Sequence, residues 1–107
     1  MPKDTYHKTP TIISNILYTE DEYTGLLVGS PAWFRWLEEF RLTFHVVEPG
    51  FTVRCEQRRR VVFWYGYKRI GGKLHKTYIG RTSDVNPNRL ADVAGRFKNM
   101  STEHQVN

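Results

Sequence analysis

RCEQRRRVVFWYGYKRIGGKLHKTYIGR, residues 54–81, decides the fold, because its aromatic and β-branched residues alternate with polar ones. A period of two belongs to β-strands, whose successive side chains point to opposite faces of a sheet. Gly71-Gly72, between Arg69 and Lys73, breaks the pattern where a hairpin needs positive φ, which glycine supplies without a steric cost. The same 28 residues hold nine Lys or Arg against one acid, Glu56. Residues 1–50 carry four basic and seven acidic groups (net −3) and residues 51–107 carry twelve and four (net +8), so the overall +5 conceals a strongly polar molecule. A basic half of this kind fits a polyanion, and nucleic acid is the commonest large one in a cell.

Outward from that stretch, LTFHVV, FTVRCEQ, VFWYGYKR and KLHKTYIG read as strands, separated by Glu48-Pro49-Gly50, by Arg58 to Arg60 and by Gly71-Gly72. The Arg58 to Arg60 turn lacks Gly and Asn, so a wider loop or a bulge is expected there. Upstream, TGLLVG reads as a short buried strand ended by Gly29. Ser30-Pro31 is a helix cap with proline at the first helical position, where its missing N–H is not needed. A helix over about 31–40 places Trp33, Trp36, Leu37 and Phe40 on one face, read as core. Asn86-Pro87 repeats the cap, and Leu90, Val93, Ala94 and Phe97 give a second amphipathic helix over about 87–98. Residues 1–22 are expected as a flexible acidic and polar tail with one docking segment (Ile12, Ile13, Ile16, Leu17, Tyr18), and residues 99–107 as a disordered tail. The expected class is therefore α+β. A three- to four-stranded antiparallel sheet over about 42–81 carries a C-terminal helix on one face and follows a short strand and helix, in a single domain over 23–98.

Composition narrows the function classes. Cys55 is the single cysteine, so no intramolecular disulfide forms and a reducing, cytoplasmic setting is the natural reading. His7, His45, His75 and His104 have no metal-ligand spacing, and no metal or cofactor is expected. The N-terminus lacks the pattern of a signal peptide, and no run approaches the roughly 20 apolar residues of a membrane span.

Strand parity sorts the basic stretch into two faces. Val53, Cys55, Trp64, Gly66, His75, Thr77 and Ile79 fall on the side that the second helix covers. Gly66, lacking a side chain in mid-strand, marks a close approach by another backbone, that of the helix. Arg54, Glu56, Arg58, Phe63, Tyr65, Tyr67, Arg69, Leu74, Lys76 and Tyr78 fall on the open side. The expected DNA-binding set is Arg54, Arg58, Tyr65, Tyr67, Arg69, Lys73, Lys76 and Tyr78. Arginine pairs bidentately with guanine or phosphate, lysine makes less directional phosphate contacts, and tyrosine stacks or donates to phosphate. Basic residues on an exposed sheet also serve simply as a solvated, aggregation-resistant face. Nine cations against one acid favour nucleic acid, and a three-stranded sheet is narrow enough for the roughly 12 Å major groove of double-stranded DNA, with RNA or single-stranded DNA a lesser fit.

FTVRCEQRRRVVFWYGYKRIGGKLHKTYIGRTSDVNPNRL resembles the small three-stranded-sheet-plus-helix DNA-binding domains, namely the arm-type binding domain of tyrosine recombinases and the plant ethylene-response-factor domain. It is closer to a bacterial segment written roughly WYAYRR-GGKL-K-YLG, found in mobile-element proteins and near the start of large transcriptional activators of the maltose-regulator type. WYGYKRIGGKLHKTYIG carries most of the likeness. With LLVGSPAWFRWLEEF it extends over residues 24–98. The resemblance implies a sheet lying in the major groove with the helix behind, and Arg54, Tyr65, Tyr67, Arg69, Lys76 and Tyr78 facing the groove. The chain departs from the pattern at Gly66, where Ala is frequent, and at RRRVV, which replaces a glycine-containing turn. The recombinase constellation of Arg, His and Tyr in a large helical domain has no counterpart in these residues. A role in recombination is accordingly expected to be architectural or regulatory, beside one in transcription.

Two other classes fit less of the chain. A small metal-dependent nuclease would use His45 with Glu48, or the GGK element near Tyr78 and Arg81, but there is no phosphate loop and no nucleophile with a matched base. A protein-interaction adaptor would use the basic face for an acidic partner. The acidic N-terminal half also suggests a docking surface for another protein, or an internal competitor that folds onto the basic face.

Overall fold

The computed structural model describes residues 8–40 and 43–105. The chain runs β1 (Thr11–Ile13), β2 (Ile16–Thr19), β3 (Glu22–Leu27), α1 (Pro31–Glu39), β4 (Thr43–Val46), β5 (Phe51–Arg58), β6 (Val61–Ile70), β7 (Lys73–Gly80) and α2 (Pro87–Gln105), with a 3-10 turn at Thr82–Asp84. The strands form one seven-stranded sheet in the order β3-β2-β1-β4-β5-β6-β7. Neighbours are antiparallel except β1 and β4, which pair in parallel through Thr11↔His45 and Ile12↔Val46.

The class α+β holds, but the expected three to four antiparallel strands become seven in a mixed sheet. Two of the added strands, β1 and β2, come from the segment read as a tail, and the third, β3, is the short strand expected ahead of the first helix. Ser14-Asn15 (φ 51° and 63°) joins β1 to β2, and Glu20-Asp21 (φ 53° and 66°) joins β2 to β3. Two successive residues of positive φ are what a two-residue type I′ turn requires, and Asn and Asp tolerate that region better than most residues. The acidic cluster is thus a hairpin turn. β3, expected as a buried strand, is an exposed edge strand, and the fully buried residue after it is Val28. At the other end α2 runs on to Gln105, seven residues beyond the expected stop, because nothing in Asn99–Gln105 breaks the helix. The expectations for Met1–His7, Val106 and Asn107 lie outside the described residues.

Both helices cover the same face. Ser30 caps α1 by accepting from Trp33 N (3.3 Å), Pro31 follows, and Trp33 and Leu37 are buried. Trp33 packs edge-on against Phe44 of β4, and its indole Nε1 donates to Val85 O at 2.7 Å, which leaves no orphaned donor in the core. Trp36 and Phe40 lie stacked farther out, only partly buried. α2 lays Leu90, Val93 and Phe97 on β5 and β6, and Phe97 meets Phe51 at 5.5 Å.

Gly66 is the point of closest approach. A Cβ there would stand 3.1 Å from Val93 Cγ1 and 3.3 Å from Phe97 Cε2, so the helix approaches with its side chains rather than with the expected backbone. Arg89 of α2 fastens the edge of the sheet. Its guanidinium donates to the carbonyls of Tyr78 (2.7 Å) and Ile79 (2.9 Å), which occupies edge groups of β7 that would otherwise template pairing with another chain.

Candidate nucleic-acid interface

With both helices on one side, the other face of the sheet is left open, and β5, β6 and β7 place their side chains on it by register. Arg54 stands opposite Tyr65, and Glu56 opposite Phe63. Tyr65 stands opposite Tyr78, Tyr67 opposite Lys76, and Arg69 opposite Leu74. Two turns hold this register. Gly71 and Gly72 (φ 60° and 81°) make the expected tight hairpin. The Arg58–Arg60 turn is also tight, not wide: Arg58 pairs with Val61, and Arg59 takes the positive φ (60°) that glycine usually supplies.

The one acid of the stretch organises the face. Tyr67 Oη donates to Glu56 Oε2 at 2.5 Å, Lys76 Nζ reaches the same oxygen at 2.9 Å, and Arg58 lies 3.4 Å from Oε1. Three strands are tied through a single carboxylate. The Tyr67 hydroxyl, and then Lys76, hold the Glu56 carboxyl at about 2, well below its ordinary 4.5. Partial burial and the carboxylate beside it push the Tyr67 phenol above its ordinary value, and the Glu56 hydrogen bond raises the Lys76 ammonium. Glu56 is therefore a permanent anion at neutral pH.

Around this hub the rings and cations interleave. Lys76 Nζ lies 4.3 Å from the centroid of Tyr65 and 5.7 Å from that of Tyr67, and Arg54 Cζ stands 5.3 Å from Tyr67. Tyr78 touches both Tyr65 (5.5 Å) and Phe63 (6.3 Å), and Arg81 Cζ lies 5.8 Å from Phe63. Such cation–π contacts contribute roughly 0.5–1 kcal/mol at exposed sites and orient the cations along the sheet. The result is a row of flat rings edged by positive charge, with Tyr78 still 46% exposed.

The structure brings Arg54, Arg58, Tyr65, Tyr67, Lys76 and Tyr78 of the sequence-derived set onto one continuous surface. Arg69 continues that surface toward the Gly71-Gly72 end, lining one recess with Arg54, Tyr67 and His45 while it donates to Gly72 O at 3.3 Å, and Lys73 lies beyond it at the start of β7. Lys68, on the opposite parity, donates to Gly50 O at 2.6 Å. The open face is also wider than the sequence reading made it. β1, β2 and β4 add Thr11, Tyr18 and His45 to it, so that Tyr18, Thr11, His45, Thr52, Tyr67 and Lys76 form one row across the sheet. Thr11 and Tyr18 were missed with the strands that carry them, whereas His45 lies on a strand that was expected. For His45 the signal was present in the alternation of TFHV. Next to the nuclease alternative, His45 is engaged with Thr52 Oγ1 at 3.4 Å, and Glu48 sits in the following turn. Among the described residues no three His, Cys, Asp or Glu side chains gather where they could hold one metal ion, and no helix is long and apolar enough to cross a membrane.

Comparison of the chain with protein-family models, with curated proteins and with solved structures gives no match.

Proposed function

We propose that the protein binds double-stranded DNA through the open face of β5–β7, as a sequence-reading or semi-specific factor serving transcription or a mobile element. The observation that carries the reading is the row of Tyr65, Tyr67 and Tyr78 interleaved with Arg54 and Lys76 on an uncovered sheet. Seven strands at about 4.8 Å spacing span about 29 Å, far more than the roughly 12 Å major groove, so the whole sheet cannot enter. Three strands span about 10 Å and can. In this reading Arg54 and the tyrosine hydroxyls address base edges, Lys76 and Arg58 address phosphates, and Glu56 holds both in place.

The adjacent rings favour a second reading, since a run of exposed aromatics on a sheet also stacks single-stranded bases. Selection of bound molecules from a random duplex pool, run beside a single-stranded pool of the same length, tests the two. Enrichment of a defined duplex motif is expected. Preferential retention of single strands would replace the duplex reading with the stacking one.

A further inference from the structure

The two hairpins of the basic strip solve the same turn differently. Gly71-Gly72 uses glycine at both central positions, whereas Arg59-Arg60 puts an arginine at φ 60°. A residue with a Cβ is disfavoured there, and glycine would relieve the cost. Arg59 and Arg60 are exposed, and no carboxylate among the described residues is within ion-pair distance of either. The turn is braced by backbone-directed contacts instead: Gln57 Nε2 donates to Arg59 O at 3.4 Å.

The position of the turn gives the arginines reach. Among the described residues, the ladder to β4 ends at Arg54 and the ladder to β7 ends at Trp64. Among the described residues Glu56–Phe63 continues beyond them as a pairing of β5 with β6 alone, with Arg59-Arg60 at its tip. Arg81 joins from the side. Arg60 and Arg81 also border a recess of about 280 Å³ at the base of this hairpin, toward α1, which Thr82, Ser83 and the Glu38 carboxylate line with them, so the tip and not the recess is the cationic end.

We infer that this tip is a second anion site, an arginine anchor that grips the phosphate backbone of the duplex whose groove the β5–β7 face reads. The inference rests on the proposed DNA-binding function. It separates two tasks along one strip: the central face, where Glu56 neutralises part of the charge, addresses bases, and the unpaired tip addresses phosphates.

The test replaces the pair by a sequence that such turns favour, Arg59→Gly with Arg60→Asn, which removes both charges while relieving the backbone. Fluorescence anisotropy with a labelled 20-base-pair duplex between 50 and 200 mM salt then gives the slope of log K against log salt. Each phosphate contact contributes about 0.9 to that slope, so the variant should lose about 1.8, with a melting temperature equal to or above that of the unsubstituted protein. Arg59→Lys with Arg60→Lys should keep the slope. Arg60→Gln, which leaves the positive-φ position alone, should lose about 0.9 and covers the case in which the double variant misfolds. Unchanged slopes in the charge-removing variants, with the unsubstituted protein binding in a salt-dependent way, would overturn the anchor and leave the DNA-binding reading standing. No salt-dependent binding by the unsubstituted protein would overturn both.

Discussion

Lys76 Nζ sits 2.9 Å from Glu56 Oε2 and 4.3 Å from the centre of the Tyr65 ring, so the only acid of the basic strip fixes a lysine over an aromatic surface. With 26% of its side chain exposed, Glu56 still faces whatever approaches the sheet. A carboxylate there repels phosphate and accepts from base amino groups such as cytosine N4. Glu56→Gln should therefore tighten binding to all duplexes and narrow the gap between a preferred sequence and random DNA. Competition titrations against both DNAs measure the two effects together.

The same carboxylate gives a pH signature. Its pKa is about 2 in the folded protein against an ordinary 4.5, so the unfolded chain takes up the proton first as pH falls. The stability that this group contributes is complete above about pH 4.5 and is lost as pH falls through about 2. In carbon-detected NMR titrations the Glu56 carboxyl should titrate well below the ordinary 4.5, and Glu56→Gln should flatten part of the acid limb of the stability curve. Tyr67 runs the other way. Its raised pKa means stability that is present below the ordinary phenol range and lost above it, and spectrophotometric titration should show a phenol ionising above that range that Tyr67→Phe removes.

The core makes separate predictions. Gly66→Val would place methyl groups inside the 3.1 Å and 3.3 Å contacts that a Cβ already makes with Val93 and Phe97, at a cost of about 1–3 kcal/mol from overpacking. Thermal or urea unfolding checks this. Trp33→Phe removes the donor to Val85 O and leaves a buried carbonyl unpaired, for about 1–3 kcal/mol. The volume that the smaller ring leaves empty adds to this cost.

Salt dependence tests the electrostatic part of the account. If the face and tip together neutralise about five phosphates, affinity for duplex DNA falls by about two to three decades between 50 and 200 mM salt. A flat response would remove phosphate recognition from the account. Arg54→Ala should relax sequence preference by about 1–3 kcal/mol, whereas Lys76→Ala should weaken all sequences alike.

Strand parity was legible in the sequence wherever a strand was long. In β6 the alternation of Trp64 and Gly66 against Tyr65 and Tyr67 separates the two faces without any tertiary information. β1 and β2 were not legible as strands because they hold only three and four residues, too few for a period to register. Their turns were written in Asn15 and Asp21, but Ser14 and Glu20 beside them are weak turn formers, so the segment read as a polar tail. The tight turn at Arg59 was hidden for the same reason: an arginine at positive φ is a choice that local propensity argues against. The role of Glu56 was hidden differently. Its partners Tyr67 and Lys76 lie on two other strands, and only the paired register brings them within hydrogen-bond distance.

The most direct measurement of the central claim is amide and side-chain NMR of the protein titrated with duplex DNA. Shift changes should concentrate at Arg54, Tyr65, Tyr67, Lys76 and Tyr78 on the open face of β5–β7, with α1 and α2 little affected. Changes centred on the helices or on β2 and β3, or no changes at all, would contradict it.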